Sequence, residues 1–228
     1  MTRIIKSPDI RTNELIDCAQ RLFFERGYEN TTVNDVIREA GLSKGAFYHY
    51  FASKEALLEA LAARMARQSL DEMRPLLDDP SLDAVGRLNA LFANSRRMKV
   101  DMAPQLKNTF NALFKPENIV LYHRIDEALT AVTLPFMAEI LRRGQEEGSL
   151  DAPDPEAMAL MLLNLRLGVA KVMHRALQQA EAGDVESAAA MLDSWMQSYG
   201  LALERILKLP EGAIQVTEPG FARAFLAA

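Results

Sequence analysis

The sequence predicts an all-α protein, and three observations carry that expectation. Apolar residues recur at three- and four-residue spacings along most of the chain, as amphipathic helices require. No stretch alternates apolar and polar residues, and no Asn-Gly or Asp-Gly hairpin turn occurs. Ser, Thr and Asp precede the periodic runs and glycines follow several of them, the punctuation of helix starts and stops.

Helix by helix, the first is expected from Ser7 or Asp9 to Glu25, with Leu15, Ala19, Leu22 and Phe23 on its apolar face and Gly27 at its end. Thr32-Val33-Asn34-Asp35 reads as a capping box with Asp in place of Glu. It opens a second helix with Val33, Val36, Ile37 and Ala40 on one face, stopped by Gly41. Ser43 caps a very short third helix over 44–50, anchored by Leu42, Phe47 and Phe51. Ser53 caps a fourth, with Leu57, Leu58, Leu61 and Met65 inward, and Pro75 is expected to end it. Longer helices follow over 82–99, 102–114, 117–147, 154–182 and 184–208, with Pro135 kinking one of them. The stretch 144–155, rich in turn formers, reads as a break. Residues beyond Pro210 show no clear periodicity. The boundaries expected are therefore a head over 1–55, a helical body over 56–210 and a tail over 211–228.

Composition narrows the function. The 228 residues are 49% hydrophobic and 25% charged, enough apolar mass to bury a core without staples. A single cysteine, Cys18, excludes a disulfide framework and any zinc site needing several thiolates. No apolar run approaches the roughly 18 residues of a membrane span, and the start lacks the pattern of a secretory signal, so a cytoplasmic protein is expected. The net charge of −5 argues against a uniformly basic nucleic-acid binder. Its distribution matters more: residues 1–54 hold eight Lys/Arg against seven Asp/Glu, a near-neutral head on an acidic body.

The stretch from Thr32 to Leu58, TVNDVIREAGLSKGAFYHYFASKEALL, carries the chemistry. Two short helices joined by a tight glycine-containing turn describe a helix-turn-helix, whose second helix enters the major groove of DNA. That role needs small residues for close backbone approach, with donors and cations for bases and phosphates. Lys44, Gly45, Ala46, Tyr48, His49 and Tyr50 meet it, while Phe47 and Phe51 are core anchors. Gly41-Leu42-Ser43-Lys44-Gly45 also matches the G-x-S-x-G nucleophile elbow, but a helical pattern rather than a strand precedes it, so Ser43 is read as an N-cap. The three histidines, His49, His123 and His174, lie far apart and form no ligand pair, so no metal, cofactor or catalytic residue is expected.

Residues 15–61 resemble the DNA-binding head of the tetracycline-repressor (TetR) family of bacterial regulators. The match runs over an amphipathic first helix, Phe23-x-x-x-Gly27-Tyr28, a Thr-Thr-Val step, Ala-Gly-Leu-Ser-Lys-Gly and Tyr-x-x-Phe-x-x-Lys-x-x-Leu. Tyr50 departs from the histidine of many members. The resemblance implies phosphate anchors at Thr32, Tyr48 and Tyr50, a backbone-pairing lysine at Lys54, and groove-facing Lys44, Gly45 and His49. Arg3 and Lys6 are candidates for a minor-groove arm.

The resemblance further implies a C-terminal helical ligand-binding and dimerisation bundle, with a homodimer formed through the two long C-terminal helices. The helix from Pro155 is apolar nearly all round, which suits burial on both sides. Pocket candidates are Phe92, Met98, Met102, Phe110, Phe114, Tyr122, His123, Phe136, Met161 and Asn164. Arg166, inside the apolar run, needs a partner. The expected function is a repressor of a pseudo-palindromic double-stranded DNA operator, released by a small apolar or amphipathic effector. The alternative is a helical ligand carrier or partner-binding module without sequence-specific DNA binding.

Overall fold

The computed structural model describes residues 8–227, and every described regular element is helical. The chain runs through α1 (Pro8–Arg26), α2 (Val33–Glu39), α3 (Lys44–Tyr50), α4 (Lys54–Leu77), α5 (Ala84–Asp101) and α6 (Ala103–Leu113). A 3-10 turn, Pro116–Asn118, leads into α7 (Ile119–Glu147), followed by α8 (Pro155–Glu181), α9 (Val185–Ile206) and α10 (Phe221–Ala227). The expected minor-groove arm, Arg3 and Lys6, and the expected cap Ser7 lie outside the described residues.

Two compact units emerge. The first combines the chain up to Met65 with Asn108–Ala128, and the second combines Ala66–Lys107 with Leu129 onward. In the first, α1, α2 and α3 close on a core of Leu15, Ala19, Leu22, Val36, Phe47 and Leu57. Arg64 ties α4 to α1, donating to Asp17 Oδ1 at 2.7 Å and Gln20 Oε1 at 2.9 Å. The segment 108–128 joins this unit through ion pairs of Lys115 with Glu29 and Arg124 with Glu59.

In the second unit α8 and α9 form the main pair, and α10 packs on α9, α5 and α8. Gly168 lets the pair close: a Cβ there would sit 2.4 Å from Cη2 of Trp195. The residues past Pro210 are docked. Buried Glu204 accepts from Ile214 N at 2.8 Å, Asn89 bonds Ala213 O and Gln215 N, and Phe221, Ala222, Phe225 and Leu226 are buried.

Pro75 behaves differently from the sequence expectation: it does not end α4, which continues to Leu77. Helix α7 runs through Pro135. A proline's ring clashes with the turn before it and removes one donor, so residues after it stay free to be helical. Helix α8 also contains a stretch long and apolar enough to cross a membrane by length and composition, with mean hydropathy 1.3. Its packing against α9 and its Arg166, which donates to Thr130 Oγ1 at 3.2 Å, fit a helix of the bundle.

Lys99, on α5, is half-buried with the Ser95 hydroxyl 2.5 Å from its Nζ. Burial, and then the charges of Arg166 and Arg96, bring its pKa down to about 8. An unfolded lysine binds its proton up to its ordinary range, so the unfolded state holds more protons between about pH 8 and that range. Stability is therefore expected to rise with pH through this window. Urea titrations of the wild type and Lys99→Met should show the rise in the former and a flatter profile in the latter.

Candidate nucleic-acid interface

The head's geometry follows from local chemistry. Thr32 caps α2: its hydroxyl accepts from Asp35 N at 3.2 Å, and Asp35 Oδ2 accepts from Thr32 N at 2.9 Å. These bonds, led by the Thr32 hydroxyl, hold the half-buried Asp35 carboxyl down at about 2. Helix α2 ends in a Schellman turn, with Leu42 N bonded to Ile37 O and Gly41 N to Arg38 O. Gly41 takes φ +62°, a left-handed value that glycine adopts without strain. Ser43 then caps α3 by accepting from Ala46 N at 3.2 Å, the structural role expected for it over that of a nucleophile.

Seven residues make α3 too short to hold itself. Phe47 supplies the anchor, fully buried and 6.2 Å from Phe51, ring centroid to centroid. With that face fixed, Lys44, Gly45 and His49 are exposed, and Tyr48 is 47% exposed with its ring edge-on to Phe47. Tyr50 is half-buried against His49, with 5.0 Å between centroids. The structure thus brings Lys44, Gly45, Tyr48, His49 and Tyr50 onto one short helix. Thr32 is exposed at the start of the neighbouring one.

Lys54 is turned inward, unlike the backbone-pairing lysine of the sequence reading. Its Nζ donates to Tyr28 O at 2.9 Å and Thr31 O at 3.0 Å, and lies 4.0 Å from the Tyr28 ring centroid. Burial lowers its pKa. Lys54 therefore fastens the α1–α2 loop to the start of α4. A signal was present in the sequence: a cation in a helix's first turn opposes the helix dipole, so it favours nearby carbonyls.

The ten pocket candidates are divided between the two units. Phe110, Phe114, Tyr122 and His123 belong to the first unit, where Phe114 and Tyr122 rings lie 4.8 Å apart and His123 is exposed. Phe92, Met98, Met102, Phe136, Met161 and Asn164 belong to the second. Of these, Phe136 lines a groove of about 410 Å³ with Leu70, Val132 and Pro135. Met161 is 60% exposed and Asn164 is exposed, because α8 turns that face away from its own unit. A larger groove, about 780 Å³, lies between α4, α5 and the docked C-terminal segment, and none of the ten lines it. Sequence reasoning missed it because the tail has no periodicity from which to foresee docking.

A capped helix, a Schellman turn and a short anchored helix with an exposed polar face define a helix-turn-helix protein of the DNA-binding regulator class. Residues 15–61, the head of the chain, match the family model described as bacterial regulatory proteins, tetR family. It is similar to the HTH-type transcriptional repressor KstR2 of Mycobacterium tuberculosis, 34% identical over 95 residues, which is 42% of this chain and 47% of that protein. It is also similar to YuxN of Bacillus subtilis, an uncharacterized HTH-type transcriptional regulator, 52% identical over 44 residues, 19% of this chain and 15% of that one. The matches thus span less than half the length of these curated relatives. Among solved structures, Thermus thermophilus FadR, a TetR-family transcriptional repressor in complex with lauroyl-CoA, is 25% identical. It has a TM-score of 0.61, over 82% of this chain and 92% of that one.

Proposed function

We propose that this chain is a ligand-responsive transcriptional regulator, a repressor that binds a pseudo-palindromic operator as a homodimer and is released by a small amphipathic effector. The observation that carries the DNA reading is Gly45. It sits in the first turn of α3, and a Cβ there would meet nothing within 4 Å. Glycine inside a helix costs roughly 0.5–1 kcal/mol relative to alanine, and no internal packing explains its presence. A surface that must approach from outside does. Lys44, Tyr48 and His49 surround it with the donors that base edges and phosphates require.

Gly45→Ala is therefore expected to raise stability by roughly 0.5–1 kcal/mol while weakening operator affinity by about tenfold. Denaturation and fluorescence-anisotropy binding would read the two effects. Loss of both, or of neither, contradicts the reading.

The dimer reading is supported by the apolar face that α8 leaves open. Leu160, Met161 and Leu165 are exposed there, as is Ile206 on α9. A second copy would cover it, giving two heads about one helical turn of DNA, roughly 34 Å, apart. The FadR likeness supports an amphipathic effector, and work on an operator would be work in the cytoplasm. An effector acts here only through its different affinity for the DNA-bound and free arrangements.

The deciding experiment is selection of bound fragments from a randomised duplex library at two salt concentrations, since phosphate contacts make affinity salt-dependent. Enrichment of one inverted repeat is the expected result. Absence of any enriched sequence would favour a ligand carrier or partner-binding module instead.

A further inference from the structure

The groove of about 780 Å³ in the second unit has the size of a small-molecule site. Met73 and Leu76 of α4, Val100 of α5 and Phe221 of α10 give it apolar walls. Among its charged lining residues Arg96 stands apart. Its side chain is only 8% exposed, whereas Glu72, Arg97 and Asp101 are exposed at the rim, where solvent screens them.

Arg96 is incompletely satisfied. Its Nη1 donates to Gln215 O, and its Nη2 lies 3.3 Å from Glu218 Oε2, long for a charge-assisted bond. Its Nε is buried with no hydrogen-bond partner. Glu218, its carboxylate partner among the described residues, is 60% exposed and hangs from the tail. One helical turn along α5 lies Lys99, a second, half-buried cation, whose Nζ contacts the Ser95 hydroxyl. A guanidinium offers Nε and one Nη as a fork that a carboxylate or phosphate fills with two parallel bonds. Glu218 fills half of that fork.

We propose that this groove binds an amphipathic organic anion, its apolar body on Met73, Leu76, Val100 and Phe221 and its carboxylate or phosphate head on Arg96 in place of Glu218. Glu218 is then an internal competitor for the head. Displacing it removes one tether of a tail that Asn89 and Glu204 also hold. Binding in the groove thereby acts on the segment that packs against α9. The proposal rests on the ligand-responsive reading and adds the site and the charge of the ligand.

The test uses the full chain, with dodecanoate, dodecyl phosphate and dodecanol below any micelle formation, followed by calorimetry and by anisotropy on the selected operator. Dodecanoate or dodecyl phosphate is expected to bind at least about tenfold more tightly than dodecanol. The stronger of the two anions identifies the head as carboxylate or phosphate. Glu218→Gln, an exposed substitution, should tighten anion binding several-fold. Arg96→Met, checked for an unchanged fold by circular dichroism, should erase the preference for anion over alcohol. Equal binding of acid and alcohol, no binding of either anion, or no gain from Glu218→Gln overturns the proposal. The two readings separate cleanly. Anion binding that leaves operator affinity unchanged upholds the site and refutes the ligand-responsive reading. Operator release by a ligand indifferent to Arg96→Met does the reverse.

Discussion

Phe225→Ala is expected to destabilise the protein by about 3–5 kcal/mol, the range for deleting a buried phenyl ring from a core that relaxes only partly. Phe225 is fully buried, and its ring stacks on Phe221 at 6.2 Å between centroids. Helix α10 packs on α9, α5 and α8, so the loss would be felt by the whole second unit rather than by a frayed end. Lys107 donates to Leu226 O at 2.9 Å, and Arg223 pairs with Glu186, which further fix the helix. Urea denaturation with two probes checks this. A change under about 1 kcal/mol, the range of ordinary surface substitutions, would mean that α10 is not docked in solution.

The second large effect is expected at Gly144. In helix α7 an alanine normally gains up to about 1 kcal/mol over glycine. Here the built Cβ would stand 2.5 Å from Ala84 Cβ and 2.6 Å from Leu150 Cγ. Ala84 is fully buried at the start of α5 and has no side-chain torsion with which to yield, so α5 and α7 would have to separate. Overpacking of this kind costs about 1–3 kcal/mol, more than the propensity gain. Gly144→Ala should therefore lower stability. Adding Ala84→Gly should restore part of the loss, because it removes the nearest obstructing atom. Additive destabilisation by the two changes would sink this account, since residues in contact are expected to couple.

Gly144 also shows where sequence reading stopped. It stands in the stretch 144–155 that reads as a break, inside the last turn of a helix expected to reach 147; α7 ends at Glu147, and Gly148, at φ +72°, follows. The two glycines are alike in sequence. One is a close-approach point for another helix, and that requirement lies in Ala84, 60 positions away in the chain. The tail reads as aperiodic for a related reason. Its partners are Arg96, Asn89 and Glu204, and no short-range pattern announces a bond from Arg96 to Glu218 across 122 positions.

By itself the sequence determined the class of fold, the order of α1 to α9 and the local architecture of the head. Those features rest on interactions spanning a few residues: the Thr32–Asp35 capping box, the Gly41 turn, the Ser43 cap and the Phe47 anchor. Capping bonds and helical periodicity act within one or two turns, so they are written in adjacent letters. Only the tertiary structure decided that Lys54 faces carbonyls, that 108–128 joins the head and that Met161 and Asn164 face outward. It also decided that a groove forms against the tail. Each of these depends on which distant surfaces meet. A side chain's environment is set by contacts that chain-local chemistry does not specify, and a charge such as Arg96 acquires its meaning only once its neighbours have buried it.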